Sequence, residues 1–164
     1  MAYLYKQIKF KFFDLLPVIL LLVISFNGNS TLDLKLFTIN IHYILVYFWV
    51  LRRPESLGYG FIFLSGIIND VVFGLPLGIN SLSLLIIAAV AAYVRVVTVR
   101  INLLNDWVSF VPALLFANLI YFLSLYFSNY QVDYLYLFKN CIFTFMFYPI
   151  LWGAFSLILN FQKE

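Results

Sequence analysis

The chain has 164 residues, 65% of them apolar or aromatic and only 10% charged, with a mean hydropathy of +1.01. A soluble domain carries roughly 25% charged residues, so this is the composition of an integral membrane protein with no room for an added soluble catalytic domain. The net charge of +3 does not point to nucleic acid, because the ten lysines and arginines are scattered in ones and twos, a pattern that sets membrane topology.

At about 20 apolar residues per membrane helix, the length holds about six spans joined by short loops. A membrane barrel would need short segments alternating apolar and polar residues, whereas residues 82–97 are apolar without alternation, Ser83 and Arg95 apart. The expected fold is therefore an all-α polytopic membrane protein forming one domain over residues 1–164. The hydrophobic runs predict spans at 12–29, 36–51, 57–75, 79–97, 107–127 and 135–161. The first has a purely apolar part of about 12 residues, short for a spanning helix, so five spans is the alternative count. Lys6, Lys9 and Lys11 precede it in the manner of a signal peptide, but no A-x-A-like cleavage site follows, and it is read as a retained span.

With six spans both termini share one side. Lys6, Lys9, Lys11, Arg52, Arg53, Arg95, Arg100 and Lys163 then fall together, leaving Lys35 and Lys139 opposite, and the positive-inside rule puts the larger group in the cytoplasm. Tyr126, Tyr130, Tyr134 and Tyr136 surround the fifth connection, where amphipathic rings suit the headgroup layer. The connection at 95–106 mixes charged and apolar residues. It either lies along the membrane surface or is the ragged end of the fourth helix.

Asp70 is the one carboxylate deep in a predicted span. Because an ionisable group facing hydrocarbon costs several kcal/mol, it should face other helices or water. Gly66, Asp70 and Gly74 recur every four residues and share a helix face, where small side chains admit a second helix. Ala88 and Ala92 offer the same spacing on the next helix, and the tight connection 74–78 predicts a close hairpin. At 1.5 Å per residue, Asp70 lies about 7–8 Å below the outer end, and His42 and Lys139 come out at similar depth. Two readings stand. In one, Asp70, His42 and Lys139, with Asn69 and Asn80, form an outer-leaflet polar cluster; in the other, Asp70 accepts hydrogen bonds from the backbone of residues 78–81 while Lys139 snorkels outward.

On the cytoplasmic side, Arg52, Arg53, Pro54 and Glu55 form a charged turn, since the proline disfavours continuation of the second helix. The arginines anchor topology, Glu55 pairs with one of them or caps the third helix, and recognition of a cytoplasmic partner is the alternative role. Pro17, Pro112 and Pro149 are read as kinks, Asn40, Asn118 and Asn140 as interhelical hydrogen-bonding groups, and Cys141 as packing. There is no Walker loop, Rossmann glycine pattern or H-E-x-x-H helix,. One histidine and one cysteine make a zinc site improbable, and no nucleophile-elbow pattern supports serine catalysis. No enzyme activity, cofactor or metal is expected.

Three features in order, the aromatic helix end with Arg53-Pro54-Glu55, the helix segment Gly66-Ile67-Ile68-Asn69-Asp70, and the connection running from Gly74 to Leu82, resemble the rod shape-determining protein D (MreD) family. The similar block runs from Tyr47 to Tyr93, the middle third of the chain, while the flanks are similar in hydrophobicity and topology. The resemblance implies a subunit of the cell-elongation machinery in the bacterial inner membrane. Its implied partners are the bitopic protein MreC, the actin-like filament protein MreB, and RodA with its penicillin-binding transpeptidase, all within a lipid bilayer. It also implies an architecture similar to the six-helix substrate-binding (S-component) subunits of energy-coupling-factor transporters.

Three function classes follow. The first is a non-enzymatic scaffold presenting helix faces, either the 66–74 face or that of Ala113 and Ala117, to a partner's membrane anchor. The second is a small-molecule-binding transporter subunit. The third is a proton path through Asp70, His42 and Lys139, for which the inner half offers no continuing polar line.

Overall fold

The computed structural model describes residues 15–27, 31–34, 37–98, 102–130 and 133–161. Among them are six α-helices and one β-hairpin: α1 (Leu15–Phe26), β1 (Thr31–Leu34), β2 (Phe37–Asn40), α2 (Ile41–Arg52), α3 (Tyr59–Phe73), α4 (Ile79–Val97), α5 (Leu103–Phe127) and α6 (Tyr134–Phe161). A single 3-10 turn, Pro54–Ser56, joins α2 to α3. Three helices, α4, α5 and α6, are long and apolar enough to cross a membrane, while α1, α2 and α3 are shorter apolar helices. The lysines at 6, 9, 11, 35 and 163 and Arg100 lie outside the described residues.

The all-α expectation needs one correction. The run beginning at residue 36 does not start as helix; Phe37–Asn40 pairs antiparallel with Thr31–Leu34, with Leu32 opposite Ile39 and Asp33 opposite Thr38. The sequence alternates there, Thr-Leu-Asp-Leu and Phe-Thr-Ile-Asn, a period of two that belongs to a strand. Asn40 ends the strand and starts the helix, its Oδ1 accepting from the Tyr43 backbone N–H at 3.1 Å as an N-cap,. Its own N–H donates to Thr144 Oγ1 of α6 at 2.9 Å.

Helix α2 lies at the centre, with every residue from His42 to Leu51 buried. A helix that is apolar on all sides is stable only when surrounded, and α2 packs against α4 and α6. Tyr47 meets Phe110 of α5 and Tyr148 of α6 at ring-centroid separations of 4.9 and 5.9 Å, and Trp49 meets Phe155 at 4.8 Å. Helix α4 is the second hub, touching α2, α3 and α5. Outward faces are apolar instead of polar: Phe61, Leu64 and Val71 on α3, Leu115 and Leu119 on α5, and Ile150 on α6 are exposed. Apolar faces on several helices at once are far more than a water-soluble monomer presents and suit lipid.

Helix α5 begins at Leu103, four residues before the predicted start, after Asn102 at its N-cap. Its first turn therefore absorbs the C-terminal part of the 95–106 connection, whose residues 99–101 lie outside the described residues. Pro112 and Pro149 lie inside continuous helices. Between them Trp107 Nε1 donates to the Phe145 carbonyl at 2.9 Å, tying α5 to α6.

Candidate functional site

The two ends of the bundle differ in chemistry. At one end are the hairpin, the start of α2, the α3–α4 connection and the start of α6; at the other are Arg52, Arg53, Glu55, Arg95 and Asp106.

The first end is organised around Asp70, which is fully buried. Gly74 closes α3 in the left-handed conformation, φ 64°, its N–H reaching back to the carbonyls of Asp70 and Val71; this is a glycine-terminated helix end. Gly78, at φ 101°, is the N-cap of α4 and has no side chain with which to cap it. Asp70 supplies that cap from the neighbouring helix. Its Oδ2 accepts from the Gly78 N–H at 2.7 Å, and its Oδ1 from the Asn80 N–H at 3.0 Å and from Asn80 Nδ2 at 2.9 Å. Negative charge at a helix N-terminus is favoured by the helix dipole, so the carboxylate is compensated without a basic partner. The close hairpin has the same local origin. A Cβ on Gly66 would overlap the backbone of Ser81, whose Oγ donates to the Phe63 carbonyl at 2.9 Å.

Of the predicted outer cluster, Asp70 and Asn80 come together and Asn69 lies buried beside them, but His42 and Lys139 do not join. His42 turns to α1, its Nε2 lying 3.1 Å from Ser25 Oγ and 3.3 Å from the Leu21 carbonyl. Ser25 Oγ already donates to that carbonyl at 2.8 Å, so the consistent tautomer carries its proton on Nε2. Lys139 is exposed. Asp70 is thus held in the backbone-capping arrangement, with donors of the α4 N-terminus on both of its oxygens. The predicted small-residue faces are largely used inside the bundle, Gly74 alone of the glycines and alanines named for them being exposed. Gly66 is spent on Ser81, Ala88, Ala113 and Ala117 are fully buried, Ala92 is half-buried, and Gly74 serves the turn.

Next to Asp70 is a cavity of about 300 Å³ that no single motif announces. Its wall contains five asparagines and three tyrosines, drawn from the end of β2 and from α2 to α6, and among the described residues no charged side chain. Asn69 Oδ1 and Asn140 Nδ2 are buried without a hydrogen-bond partner. Asn40, Asn118 and Asn140, expected as links between helices, are brought to this one space; Asn118 Nδ2 donates within its own helix, to the Leu114 carbonyl at 2.9 Å. The only signal in the sequence was the recurrence of asparagine near the same depth in several spans.

At the opposite end, Arg52 donates to Asp106 Oδ2 at 3.1 Å, and Trp152 Nε1 donates to the same oxygen at 2.9 Å. The guanidinium lies over the rings of Trp152 and Phe48, 5.3 and 5.8 Å from their centroids. Asp106, which hydropathy assigns to the 95–106 connection, is 1% exposed and joins α2, α5 and α6. Arg53 ends α2 and Pro54 begins the 3-10 turn. Glu55 does not cap α3, whose N-cap is Gly58; it is exposed and lies 3.9 Å from Arg95 of α4. Comparison with known protein families, curated proteins and solved structures finds no match.

Proposed function

We propose that this chain is a non-enzymatic subunit of the bacterial cell-elongation machinery, of the MreD kind. In this reading it resides in the inner membrane as a six-span bundle with both termini in the cytoplasm. It scaffolds an MreC-like bitopic protein, an MreB-like filament and the RodA–transpeptidase pair. The observation that supports it most is that the segments carrying the resemblance interlock. The Gly66 contact with Ser81 and the Asp70 cap on Gly78 and Asn80 join two of them into one rigid hairpin, while the third, the Arg53-Pro54-Glu55 turn, meets the far end of α4 through Arg95. Arg52, Arg53 and Arg95 at a single end of the bundle accord with a cytoplasmic location for that end.

Since the small-residue faces are used internally, a partner's anchor would meet the exposed face of α3, through Phe61, Leu64 and Val71. Shape-matched apolar packing is what membrane-embedded partners require. Photocrosslinking residues placed at Leu64 and Val71 in the native bacterium should capture an MreC-like single-span protein, while the same residue at Leu119 on α5 should not. Capture of lipid alone from every position would remove the scaffold mechanism. The neutral polar cavity favours a second reading, a small-molecule-binding subunit of an energy-coupling-factor type transporter, and copurification of a membrane ATPase in place of MreC would select it.

A further inference from the structure

We propose that the cavity beside Asp70 is a binding site for a neutral sugar unit, a function beyond the scaffold role and independent of it. A carboxamide carries both donor and acceptor functions, and five asparagines facing one space of about 300 Å³ are a concentrated hydrogen-bonding surface. Two of these groups are left unmet among the described residues: the acceptor Asn69 Oδ1 on α3 and the donor Asn140 Nδ2 on α6. Both residues are more than nine-tenths buried, at 3% and 4% exposure, where a polar group without a partner costs about 1–3 kcal/mol. A ligand that donates to one wall and accepts from the other removes both penalties.

The charge balance selects against ions. Among the described residues no lysine, arginine, aspartate or glutamate lines the space, and both oxygens of nearby Asp70 are engaged by Gly78 and Asn80. A charged ligand would be desolvated without a counter-charge. The remaining wall is largely aromatic, with Tyr43, Tyr121 and Phe73. Hydroxyls, each donor and acceptor at once, match carboxamides on several walls, whereas the fixed edge of a heteroaromatic ring matches only one arrangement. A sugar ring also presents an apolar C–H face to an aromatic neighbour. The same chemistry comes from a free saccharide in the outer aqueous phase or from a glycolipid headgroup.

The test uses the full chain in phosphatidylcholine nanodiscs, prepared without sugar-based detergents, with thermal unfolding followed by tryptophan fluorescence. One arm adds methyl glucoside or N-acetylglucosamine to the solution, and another places monoglucosyl-diacylglycerol in the disc. A ligand that binds only the folded state raises Tm with concentration. A rise in the first arm supports a soluble sugar; a rise confined to the second supports a glycolipid headgroup. Asn69→Leu removes an unmet acceptor and should fold with Tm unchanged or higher, whereas Asn140→Leu removes an unmet donor together with the 3.4 Å hydrogen bond from Thr144 Oγ1 and should fold with Tm little changed; both should lose the ligand-induced rise. Asn118→Leu is the reserve variant should either fail to fold. No rise in either arm, an undiminished rise in the variants, or an equal rise with glucuronate or uridine would overturn the proposal.

Discussion

Asp70 is held by three hydrogen bonds, all from the start of the helix that follows it. Both carboxylate oxygens accept, so an amide in its place must turn an NH2 toward a backbone N–H. Asp70→Asn should therefore destabilise the protein by about 1–3 kcal/mol, the cost of an unsatisfied buried donor, and Asp70→Ala should cost more. Chemical denaturation in detergent measures both, and unchanged midpoints would contradict the cap. This role was legible because the tight glycine-bounded connection follows Asp70 within a few residues. The partnership of Asp106 was not, since hydropathy placed it outside the fifth span and its partners, Arg52 and Trp152, are 54 and 46 residues distant in sequence. At that end, Arg52→Ala should cost about 3 kcal/mol, because a buried carboxylate loses its cation. Joining it to Asp106→Leu should restore part of the loss, and a double-mutant cycle on unfolding free energies reads the coupling. Strict additivity would deny the pair a structural role.

For the helices, the sequence pattern was a good guide wherever hydropathy alone decides the outcome. Helix α4 begins and ends at the predicted residues, Ile79 and Val97, because a glycine-bounded turn starts it and a predominantly apolar run continues it. Hydropathy misplaces the start of α2, since Phe37 to Asn40 is apolar enough to pass for helix and its strand partner, Thr31–Leu34, lies between two predicted spans. Depth arithmetic placed His42 and Asp70 level, yet depth does not fix the direction in which a side chain leaves its helix, and His42 points to α1. Close approach of α3 and α4 rests on Gly66. Gly66→Ala should force the helices apart and cost about 1–3 kcal/mol, as overpacking does, whereas Gly60→Ala on the same helix meets nothing within 4 Å and should be neutral or stabilising by about 0.5–1 kcal/mol. Thermal unfolding of the two variants side by side checks the contrast; equal effects would mean that the crossing does not depend on the missing side chain.

Across the bundle, Arg52, Arg53, Arg95 and Asp106 mark one end and an asparagine-lined cavity the other, a polarity from which the proposed topology takes its direction. In a Cys141→Ala background, Glu55→Cys should be shielded from an impermeant maleimide in intact cells and Asp133→Cys should react, both positions being exposed; the reverse labelling would invert the topology. The proposed place in the elongation machinery rests on an interlocked middle third more than on any reactive group. The most direct measurement is depletion of this protein in its native bacterium with cell shape as the readout. Rods should round up and regain their shape when the intact chain is restored. Cells that stay rod-shaped at full depletion would contradict the account.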